Sequence, residues 1–275
     1  MNKLILIDAD SLAYHACKET LQDSIESLND RISNMFTKTD ADFAAFFVSD
    51  KVTFRHKIAP FYKGNRLKTP TTLKWVKSLT AYLSDAYGVN SFSHVEADDL
   101  VNYWYNQIMY NYDGRLYPEL QGSLLGKELK EEDKVTKIIC SPDKDLLKCI
   151  PGTHFNYSYK SEEEKGWWVE TTIEEAYDNF WKSMITGDPA DNIKGIEGKG
   201  IKFAEKLIKS CNELGIMYPS AVFDQYVIKH NDYEGIIKFQ QNYRLLKLLE
   251  NDLEFYNEIG TIPDQTLKII TINKE

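Results

Sequence analysis

The sequence has no apolar run close to the length of about 18 residues that a membrane span needs. The apolar stretch near its start, Leu4–Ile7, is too short for the core of a signal peptide. Its four cysteines show neither paired zinc spacing nor a dense disulfide framework, which indicates reduced thiols and a cytoplasmic location. It also has no Pro/Ser/Gly-rich linker and no internal repeat. These absences exclude a membrane-spanning protein, a disulfide scaffold and a repeat protein.

The composition is that of an ordinary globular protein. The 275 residues are 43% hydrophobic and 27% charged, which suits one large domain or two unequal ones. Asp and Glu number 42 against 33 Lys and Arg, and the formal net charge is −9. Taken alone, this acidic balance argues against a nucleic-acid partner, since such proteins usually carry a basic surface. The distribution of the charges along the chain therefore matters more than their sum.

One segment is strongly basic. Between Lys51 and Ser84 there is no Asp or Glu and there are eight basic residues: Lys51, Arg55, Lys57, Lys63, Arg66, Lys68, Lys74 and Lys77. Phe61, Tyr62 and Trp75 lie among them, and this mixture suits contact with phosphates together with stacking on bases. A solvated helix face remains the alternative for such a cluster.

Short apolar runs alternate with helical patterns along the first two thirds of the chain. Strands are predicted at Leu4–Ile7, Phe43–Val48 and Val135–Cys140, and helices over residues 97–109 and 173–185. This order predicts a mostly parallel sheet flanked by helices, with ligands bound beyond the carboxyl ends of the strands. After residue 187 the pattern is helical until Leu267–Ile272, so we expect an α/β domain over 1–186 and a helical region over 187–275.

Acidic residues follow the predicted strands. Nine of them come from five segments: Asp8, Asp50, Glu96, Asp98, Asp99, Asp143, Asp145, Asp188 and Asp191. Any one, such as Asp8 or Asp99, could be a helix N-cap. Gathered at one edge of a sheet, however, like charges need a cation, and oxygen ligands without paired His or Cys favour Mg²⁺ or Mn²⁺. The nine carboxylates equal the whole net charge, so the acidic balance does not exclude a nucleic acid.

A glycine-rich segment, NIKGIEGKGIKFAEKLI over residues 192–208, follows the last of these acids. Gly195, Gly198 and Gly200 predict a tight turn between two short helices, the second beginning near Gly200. Exposed amides and nearby lysines suit the approach of a phosphate. A plain connection between two helices is the alternative.

These motifs together resemble the 5′ nuclease superfamily of flap endonucleases and 5′→3′ exonucleases, with bacteriophage 5′ nucleases and the nuclease domain of bacterial DNA polymerase I most alike. The resemblance is carried, in order, by LILIDAD, FYKGNR, VEADD, SPDKDLL and GDPADNIKGIEGKGIKFAEKLI. It implies a PIN-like α/β domain with a mostly parallel sheet and a helical arch at about residues 60–90. It also implies a C-terminal helical region that contains a helix–three-turn–helix, or helix-hairpin-helix, element.

The resemblance also implies roles for individual residues. A first metal would be held by Asp8, Asp50, Glu96 and Asp98, and a second by Asp143, Asp145 and Asp191 with Asp98 shared; Asp99 and Asp188 would lie outside the ligand shell. Lys63 and Arg66 would contact the scissile phosphate, so the expected catalytic set is Lys63, Arg66, Asp8 and Asp145. The expected DNA contacts are Tyr14, Arg55, Tyr62, Lys63, Arg66, Gly195, Gly198, Lys199, Gly200 and Lys202. A plain core tyrosine is the alternative for Tyr14, and Asp50 fits the pattern less well because its link to Phe54 is short.

The implied function is that of a free-standing, Mg²⁺-dependent 5′ nuclease that leaves 5′-phosphate and 3′-hydroxyl ends by a two-metal-ion mechanism. Mn²⁺ would substitute for Mg²⁺, and K⁺ is the expected ion at the hairpin. The expected partner is DNA with a 5′ flap, 5′ overhang or nick, or an RNA–DNA hybrid, bound by a monomer with no membrane involved. Single-strand-binding or replication proteins are partners by analogy only. A phage origin would place the protein in the host cytoplasm.

Two other functions stay open at this point. Asp8 and Asp10 form a DxD after the first strand, and GDPAD resembles a Mg²⁺-binding motif of haloacid dehalogenase-like phosphatases, in which Asp8 would be the nucleophile. A non-catalytic, structure-specific DNA-binding protein would need only the basic segment and the glycine hairpin.

Overall fold

The computed structural model describes residues 2–66, 74–161, 163–264 and 266–271. The chain divides into two compact units that are not contiguous in sequence. The first, here the sheet unit, comprises Met1–Thr53, Thr69–Glu170 and Leu248–Glu275; the second, here the helical unit, comprises Phe54–Lys68 and Thr171–Lys247. The sequence-based expectation divided the chain linearly at residue 186. Lys68 and part of the expected arch lie outside the described residues.

The sheet unit contains the central sheet and the helices that flank it. Its strands are β1 (Lys3–Asp8), β2 (Phe43–Phe47), β3 (Met109–Tyr112), β4 (Arg115–Pro118), β5 (Thr136–Cys140), β6 (Gly152–Tyr159), β7 (Lys165–Thr171) and, labelled in chain order, β10 (Ile270–Thr271). Its helices are α1 (Ala9–Ala16), α2 (Leu21–Thr39), α4 (Val76–Tyr87), α5 (Ala97–Asn106), α6 (Glu119–Leu124), α7 (Lys144–Cys149) and α12 (Asp252–Ile259).

The central sheet has six strands in the order β10-β2-β1-β5-β6-β7. Strand β1 pairs in parallel with both β2 and β5, and β5 pairs in parallel with β6, while β10 runs antiparallel to β2. The three predicted strands are confirmed, and they are three of the inner parallel ones. Because their carboxyl ends share one edge, the residues that follow β1 and β5 are brought near each other.

Apolar runs explain why these strands are central. Leu4, Ile5, Leu6 and Ile7 are all fully buried, as expected for a strand covered on both faces. Helix α2 contributes Leu28, Ile32 and Met35 to the same core, and Thr20 caps that helix by accepting a hydrogen bond from the Asp23 amide. The sheet core therefore holds the strand ends on a well-packed support.

Strands β6 and β7 were not among the predicted strands. Their signal is weak because β6 carries His154 and Asn156 at buried positions, where a hydrophobic pattern would place apolar side chains. The segment between α5 and β5 contains the short antiparallel pair β3–β4 and helix α6. Glu163 and Glu164 lie between β6 and β7 and are exposed.

The helical unit is formed by α3 (Phe54–Ile58), α8 (Ile173–Thr186), α9 (Ile201–Leu214), α10 (Tyr218–His230) and α11 (Asp232–Leu246), with a two-stranded ribbon of β8 (Gly187–Asp188) and β9 (Ile193–Lys194). Its core is built around Trp181, Met184, Ile208, Val222 and Tyr226. A capping box of Thr172 and Glu175 fixes the start of α8. Among the described helices of both units, none is long and apolar enough to cross a membrane.

Candidate active site

Asp8 occupies the carboxyl end of β1 and is the N-cap of α1. Its Oδ1 accepts a hydrogen bond from the Ser11 amide at 3.1 Å, and its Oδ2 accepts one from the Ser141 hydroxyl at 3.3 Å. Only 3% of the residue is exposed. The N-cap interpretation of Asp8 is therefore confirmed, but capping alone does not account for a carboxylate this deeply buried.

The electrostatics of Asp8 indicate a position that favours added positive charge. Its pKa is raised from 3.8 to about 6, chiefly because burial disfavours the charged form and also because Asp10 and Asp143 repel a negative charge there. The hydrogen bonds from Ser11 act in the opposite direction and do not cancel these effects. A cation bound at this point would relieve both the burial cost and the repulsion.

The carboxyl end of β5 supplies the next two acids. Asp143 is the N-cap of α7 and accepts a hydrogen bond from the Asp145 amide at 2.7 Å, so Asp143 caps the helix and Asp145 lies in its first turn. The Asp143 amide donates to the Ser141 hydroxyl at 3.0 Å. Ser141 thus touches the carboxylate of Asp8 and the main chain of Asp143, which links the ends of neighbouring strands.

The start of α5 contributes Glu96 and Asp98. Glu96 is the buried N-cap residue of α5, and Asp98 is a half-buried residue of its first turn. The Ala97 amide donates to the Ser49 hydroxyl at 2.9 Å, and the Ser49 amide donates to Asp10 Oδ2 at 2.8 Å. These two bonds connect α5 to the segments that follow β1 and β2.

Asp50 follows β2 but its carboxylate is held by main-chain donors. It accepts hydrogen bonds from the Lys51 amide at 2.7 Å and from the His94 amide at 2.8 Å. These bonds lower the pKa of Asp50 below its ordinary value, and the bond from the His94 amide has the largest effect. Asp50 is thus an ionised, locally satisfied carboxylate, consistent with its being the poorest fit to the ligand pattern.

Asp99 has a structural partner in the C-terminal segment. Its carboxylate is fully buried and accepts a hydrogen bond from the Leu249 amide at 3.0 Å. The neighbouring Asn102 donates to the carbonyls of Leu248 and Leu249, and Tyr103 donates to Asp252 at 2.7 Å. Helix α5 therefore binds residues 248–252 along one side, and Asp99 belongs to this contact.

The donor chemistry of the sheet unit fits a hard divalent cation. Asp8, Glu96, Asp98, Asp143 and Asp145 offer only oxygen atoms, and the raised pKa of Asp8 shows that added positive charge would be stabilising there. As the side chains stand, no three His, Cys, Asp or Glu residues within residues 2–66, 74–161, 163–264 and 266–271 form a ready-made group of metal ligands.

In the helical unit, Asp191 gathers the basic residues of the FYKGNR motif. Its carboxylate accepts hydrogen bonds from Arg66 at 2.6 Å and from the Tyr62 hydroxyl at 2.9 Å, and the Lys63 ammonium lies 3.7 Å away. The Asp191 carbonyl also accepts from the Lys63 amide at 2.9 Å. Lys63 has φ +54°, so its backbone takes a left-handed conformation that this contact supports.

Two expected DNA contacts are instead interior residues. Arg55 is 1% exposed, and its guanidinium donates to the carbonyls of Leu245 at 2.9 Å and Lys247 at 2.8 Å. Tyr62 is also buried, with its hydroxyl on Asp191. Burial and saturation by internal partners remove both from the surface, so we leave them out of the DNA contacts proposed below.

Tyr14 shows the opposite outcome. It is 54% exposed on α1, so the alternative of a plain core tyrosine is wrong. Its ring meets only the edge of His15 among the ring contacts of the described residues. Tyr14 therefore remains a candidate for stacking.

Asp188 is buried in β8 and accepts a hydrogen bond from the Ala190 amide at 2.8 Å.

The glycine segment forms a turn between β9 and α9, and α9 begins at Ile201, as expected. The helix before it, α8, is 14 residues long and is followed by the β8–β9 ribbon, so the expectation of two short helices is wrong. A Cβ atom on Gly195 would lie within van der Waals overlap of the Ile185 carbonyl oxygen, which makes glycine necessary there. The hairpin borders a groove of about 1180 Å³, whose lining includes Lys199, His230 and Lys238.

Comparisons with known proteins agree with this architecture. The family model of the 5′-3′ exonuclease N-terminal resolvase-like domain matches residues 3–114. DNA polymerase I of Geobacillus stearothermophilus is 26% identical over 76% of this chain, and the 5′-3′ exonuclease of Mycoplasma pneumoniae is 24% identical over 94% of this chain and 89% of its own length. The first part of this chain is thus similar to the N-terminal domain of 5′-3′ exonucleases, and most of its length is similar to proteins of that kind.

A structural comparison supports the same fold. A bacteriophage T5 flap endonuclease, solved as a pseudo-enzyme–product complex with DNA and metal ions, superposes with a TM-score of 0.61. The likeness covers 94% of this chain and 93% of that chain at 17% identity. The chain spans only 23% of the length of the DNA polymerase I relative.

Sequence reasoning overlooked the hydroxyl groups that surround the acids. The Ser49 hydroxyl accepts from the Ala97 amide, the Ser141 hydroxyl donates to the Asp8 carboxylate, and the Tyr157 hydroxyl donates to the Asp8 carbonyl at 2.9 Å. Ser141 was detectable because it separates the β5 run from Asp143 in SPDKD. Tyr157 was not detectable, because it lies on a strand that the apolar pattern did not reveal.

Proposed function

We propose that this protein is a structure-specific 5′ nuclease, acting as a flap endonuclease and 5′→3′ exonuclease that hydrolyses phosphodiester bonds of DNA. The observation that carries the proposal is the placement of Asp8 and Asp143 at adjacent strand ends, close enough for Asp143 to raise the pKa of Asp8. The match of residues 3–114 to the 5′-3′ exonuclease family model and the similarity to a 5′-3′ exonuclease support the same conclusion. Acids this close together at one edge of the sheet repel each other, so we expect them to function with a bound cation.

The carboxylates of the sheet unit would hold the metal ions. Asp8, Glu96, Asp98, Asp143 and Asp145 are the proposed ligands, with Mg²⁺ the expected ion and Mn²⁺ its substitute. When bound, two such ions would supply an activated water and neutralise charge on the leaving oxygen, giving 5′-phosphate and 3′-hydroxyl ends. Both carboxylate oxygens of Asp50 accept main-chain amides, and the resemblance places Asp99 and Asp188 outside the ligand shell, so we assign these three acids supporting positions.

Lys63 and Arg66 would supply positive charge to the scissile phosphate. Arg66 is exposed, with 58% of its side chain accessible, and Lys63 is within ion-pair distance of the same Asp191 carboxylate. Two cations held by one carboxylate keep their positive ends in a fixed region, which favours stabilisation of charge that develops during cleavage. Asp191 would thereby orient them, in addition to the metal role that the resemblance implies.

The proposed substrate is DNA with a 5′ flap, a 5′ overhang or a nick, with RNA–DNA hybrids as a second class. Exposed Tyr14 and Phe61 are suited to stacking on unpaired bases. The hairpin glycines, with Lys199 and exposed Lys202, would contact the duplex backbone, and carbonyls there would accept K⁺. We propose that the enzyme acts as a monomer in the cytoplasm, with replication proteins as partners by analogy.

The test is cleavage of a duplex carrying a labelled 5′ flap, with Mg²⁺ and with a chelator. We expect cleavage only with Mg²⁺, and products that a DNA ligase can join because they carry 5′-phosphates. Asp145→Ala should abolish cleavage while retaining binding in a gel-shift assay. Asp224→Asn, which alters an exposed acid on α10, is the matched control and should cleave normally.

Each other outcome favours a different function. Binding of flap DNA without cleavage in Mg²⁺ or Mn²⁺ would support a non-catalytic binding protein. Release of phosphate from p-nitrophenyl phosphate by the wild type, lost in Asp10→Ala, with flap DNA left uncut, would support the phosphatase. The GDPAD segment directly follows α8 and enters the β8–β9 ribbon. The helix before it, which the sequence pattern predicts, argues against the phosphatase function.

A further inference from the structure

Two buried hydroxyl groups converge on Asp8, one from the end of β5 and one from β6. Ser141, at the end of β5, is fully buried and donates to Asp8 Oδ2 at 3.3 Å while accepting the Asp143 amide at 3.0 Å. Tyr157, in β6, is also fully buried, and its hydroxyl donates to the Asp8 carbonyl oxygen at 2.9 Å. One group therefore contacts the side chain of Asp8 and the other its main chain.

Each hydroxyl is itself held in place. The Ser141 amide donates to the Phe155 carbonyl at 3.2 Å, which ties the turn after β5 to β6. The Tyr157 carbonyl accepts a hydrogen bond from Arg31 Nη1 at 2.9 Å, and Arg31 is a buried residue of α2. Both hydroxyls lie in the packed interior. Packing therefore restricts their rotation and keeps them in place beside Asp8.

We propose that Ser141 and Tyr157 are positioning residues that set the geometry of the Asp8–Asp143 pair for a divalent cation. This inference rests on the proposed function for its biological meaning, but it concerns metal affinity. Two carboxylates that repel each other will turn apart unless something else fixes them. Ser141 fixes Asp8 relative to Asp143, and Tyr157 fixes the strand end from which Asp8 projects. Partners of this kind are typically worth about 10- to 100-fold in metal affinity.

A purely structural role would give a different result. Removal of a buried hydroxyl lowers the stability of the fold wherever it lies, whereas removal of a positioning group lowers the affinity for the cation. The chain offers matched controls for both residues. Ser24 is a fully buried serine that accepts from the Lys18 amide and donates to the Thr20 carbonyl, and Tyr226 is a buried tyrosine that donates to the Met184 carbonyl.

The experiment measures the unfolding temperature of the full chain as Mg²⁺ is titrated, with no DNA present. Ser141→Ala and Tyr157→Phe should each raise the Mg²⁺ concentration for half-maximal stabilisation by about tenfold. Ser24→Ala and Tyr226→Phe should lower the unfolding temperature and leave that concentration unchanged. Ser141→Thr keeps the hydroxyl and should restore most of the affinity lost in Ser141→Ala.

Several results would overturn the inference. It is wrong if Ser141→Ala and Tyr157→Phe, both folded by circular dichroism, bind Mg²⁺ as the wild type does. Equal shifts in all four variants, no rescue by Ser141→Thr, or a wild type that Mg²⁺ does not stabilise would contradict it as well. If the wild type binds Mg²⁺ and the variants shift as expected but flap DNA stays uncut, the proposed function fails and the positioning role stands.

Discussion

Replacement of Asp8 by asparagine should stabilise the metal-free protein. The Asp8→Asn change would keep the shape of the side chain, whose amide oxygen could still accept the Ser11 amide, so the N-cap of α1 is preserved. What the change removes is a negative charge on a residue that is 3% exposed and that lies near Asp10 and Asp143. The variant therefore isolates the cost of holding that charge in the folded protein.

The size of the effect follows from the pKa of Asp8. A pKa raised from 3.8 to about 6 means that the folded protein binds the proton more tightly than the unfolded chain does. At about 1.36 kcal/mol for each pKa unit, the ionised carboxylate costs about 3 kcal/mol of folding free energy at neutral pH. We expect Asp8→Asn to recover most of that amount in the absence of metal.

The pH dependence has a definite sign. Below pH 3.8 the carboxyl is protonated in both states and contributes nothing, and the cost grows as the pH rises from 3.8 through about 6. About half of the cost is present near pH 5 and nearly all of it near pH 8. The advantage of Asp8→Asn over the wild type should therefore increase across this range.

The assay is urea denaturation of both proteins in chelator at about pH 5 and about pH 8, followed by the same measurement in Mg²⁺. Mg²⁺ should reverse the order of stability at the higher pH, since only the wild type offers the ionised ligand. An Asp8→Asn protein that is less stable than the wild type at about pH 8 without metal would refute the reasoning. A pH-independent difference would show that the charge of Asp8 is not the cause.

The other predictions concern the basic motif and the hairpin. Lys63→Met should reduce the rate of flap cleavage by orders of magnitude with little change in unfolding temperature; an unchanged rate would remove Lys63 from the site. Arg55→Met should instead cost about 2–4 kcal/mol in urea denaturation, because the buried Leu245 carbonyl and the partly buried Lys247 carbonyl lose their donor. Gly195→Ala should destabilise far more than Gly198→Ala, since Cβ would strike main chain at Gly195 and meets open space at Gly198, where φ +77° costs only about 1 kcal/mol. Equal effects of the two alanines would contradict the close backbone approach.

The sequence predicted the fold best where continuous apolar character alone determined the position of a strand. Leu4–Ile7 is continuously apolar because β1 is covered on both faces, and the acid that follows it had to lie at the sheet edge. The same reasoning located Asp143 and Asp145. It could not find β6, where His154 and Asn156 are buried polar residues that interrupt the apolar pattern.

Side-chain direction was the part that could not be predicted. Arg55 and Arg66 both belong to one acid-free basic segment, yet Arg55 is buried on main-chain carbonyls and Arg66 is exposed beside Asp191. Asp98 and Asp99 are adjacent in sequence, but Asp99 accepts the Leu249 amide, a partner 150 positions away. Such contacts depend on tertiary packing, and neither composition nor periodicity records them.

The two-residue strand β10 has a consequence for biosynthesis. It covers β2 through Ile270 and Ala44, which are more than two hundred positions apart in the chain. While the ribosome is still making the intervening residues, Phe43 and Ala44 lack this partner and form an open edge, the kind of surface that recruits other nascent chains; Phe46 and Val48 bond to Asn90 instead. A sheet that begins with residues 3–47 is therefore completed on this side only after residue 271 has been made, and until then this part of β2 is exposed to association with other chains.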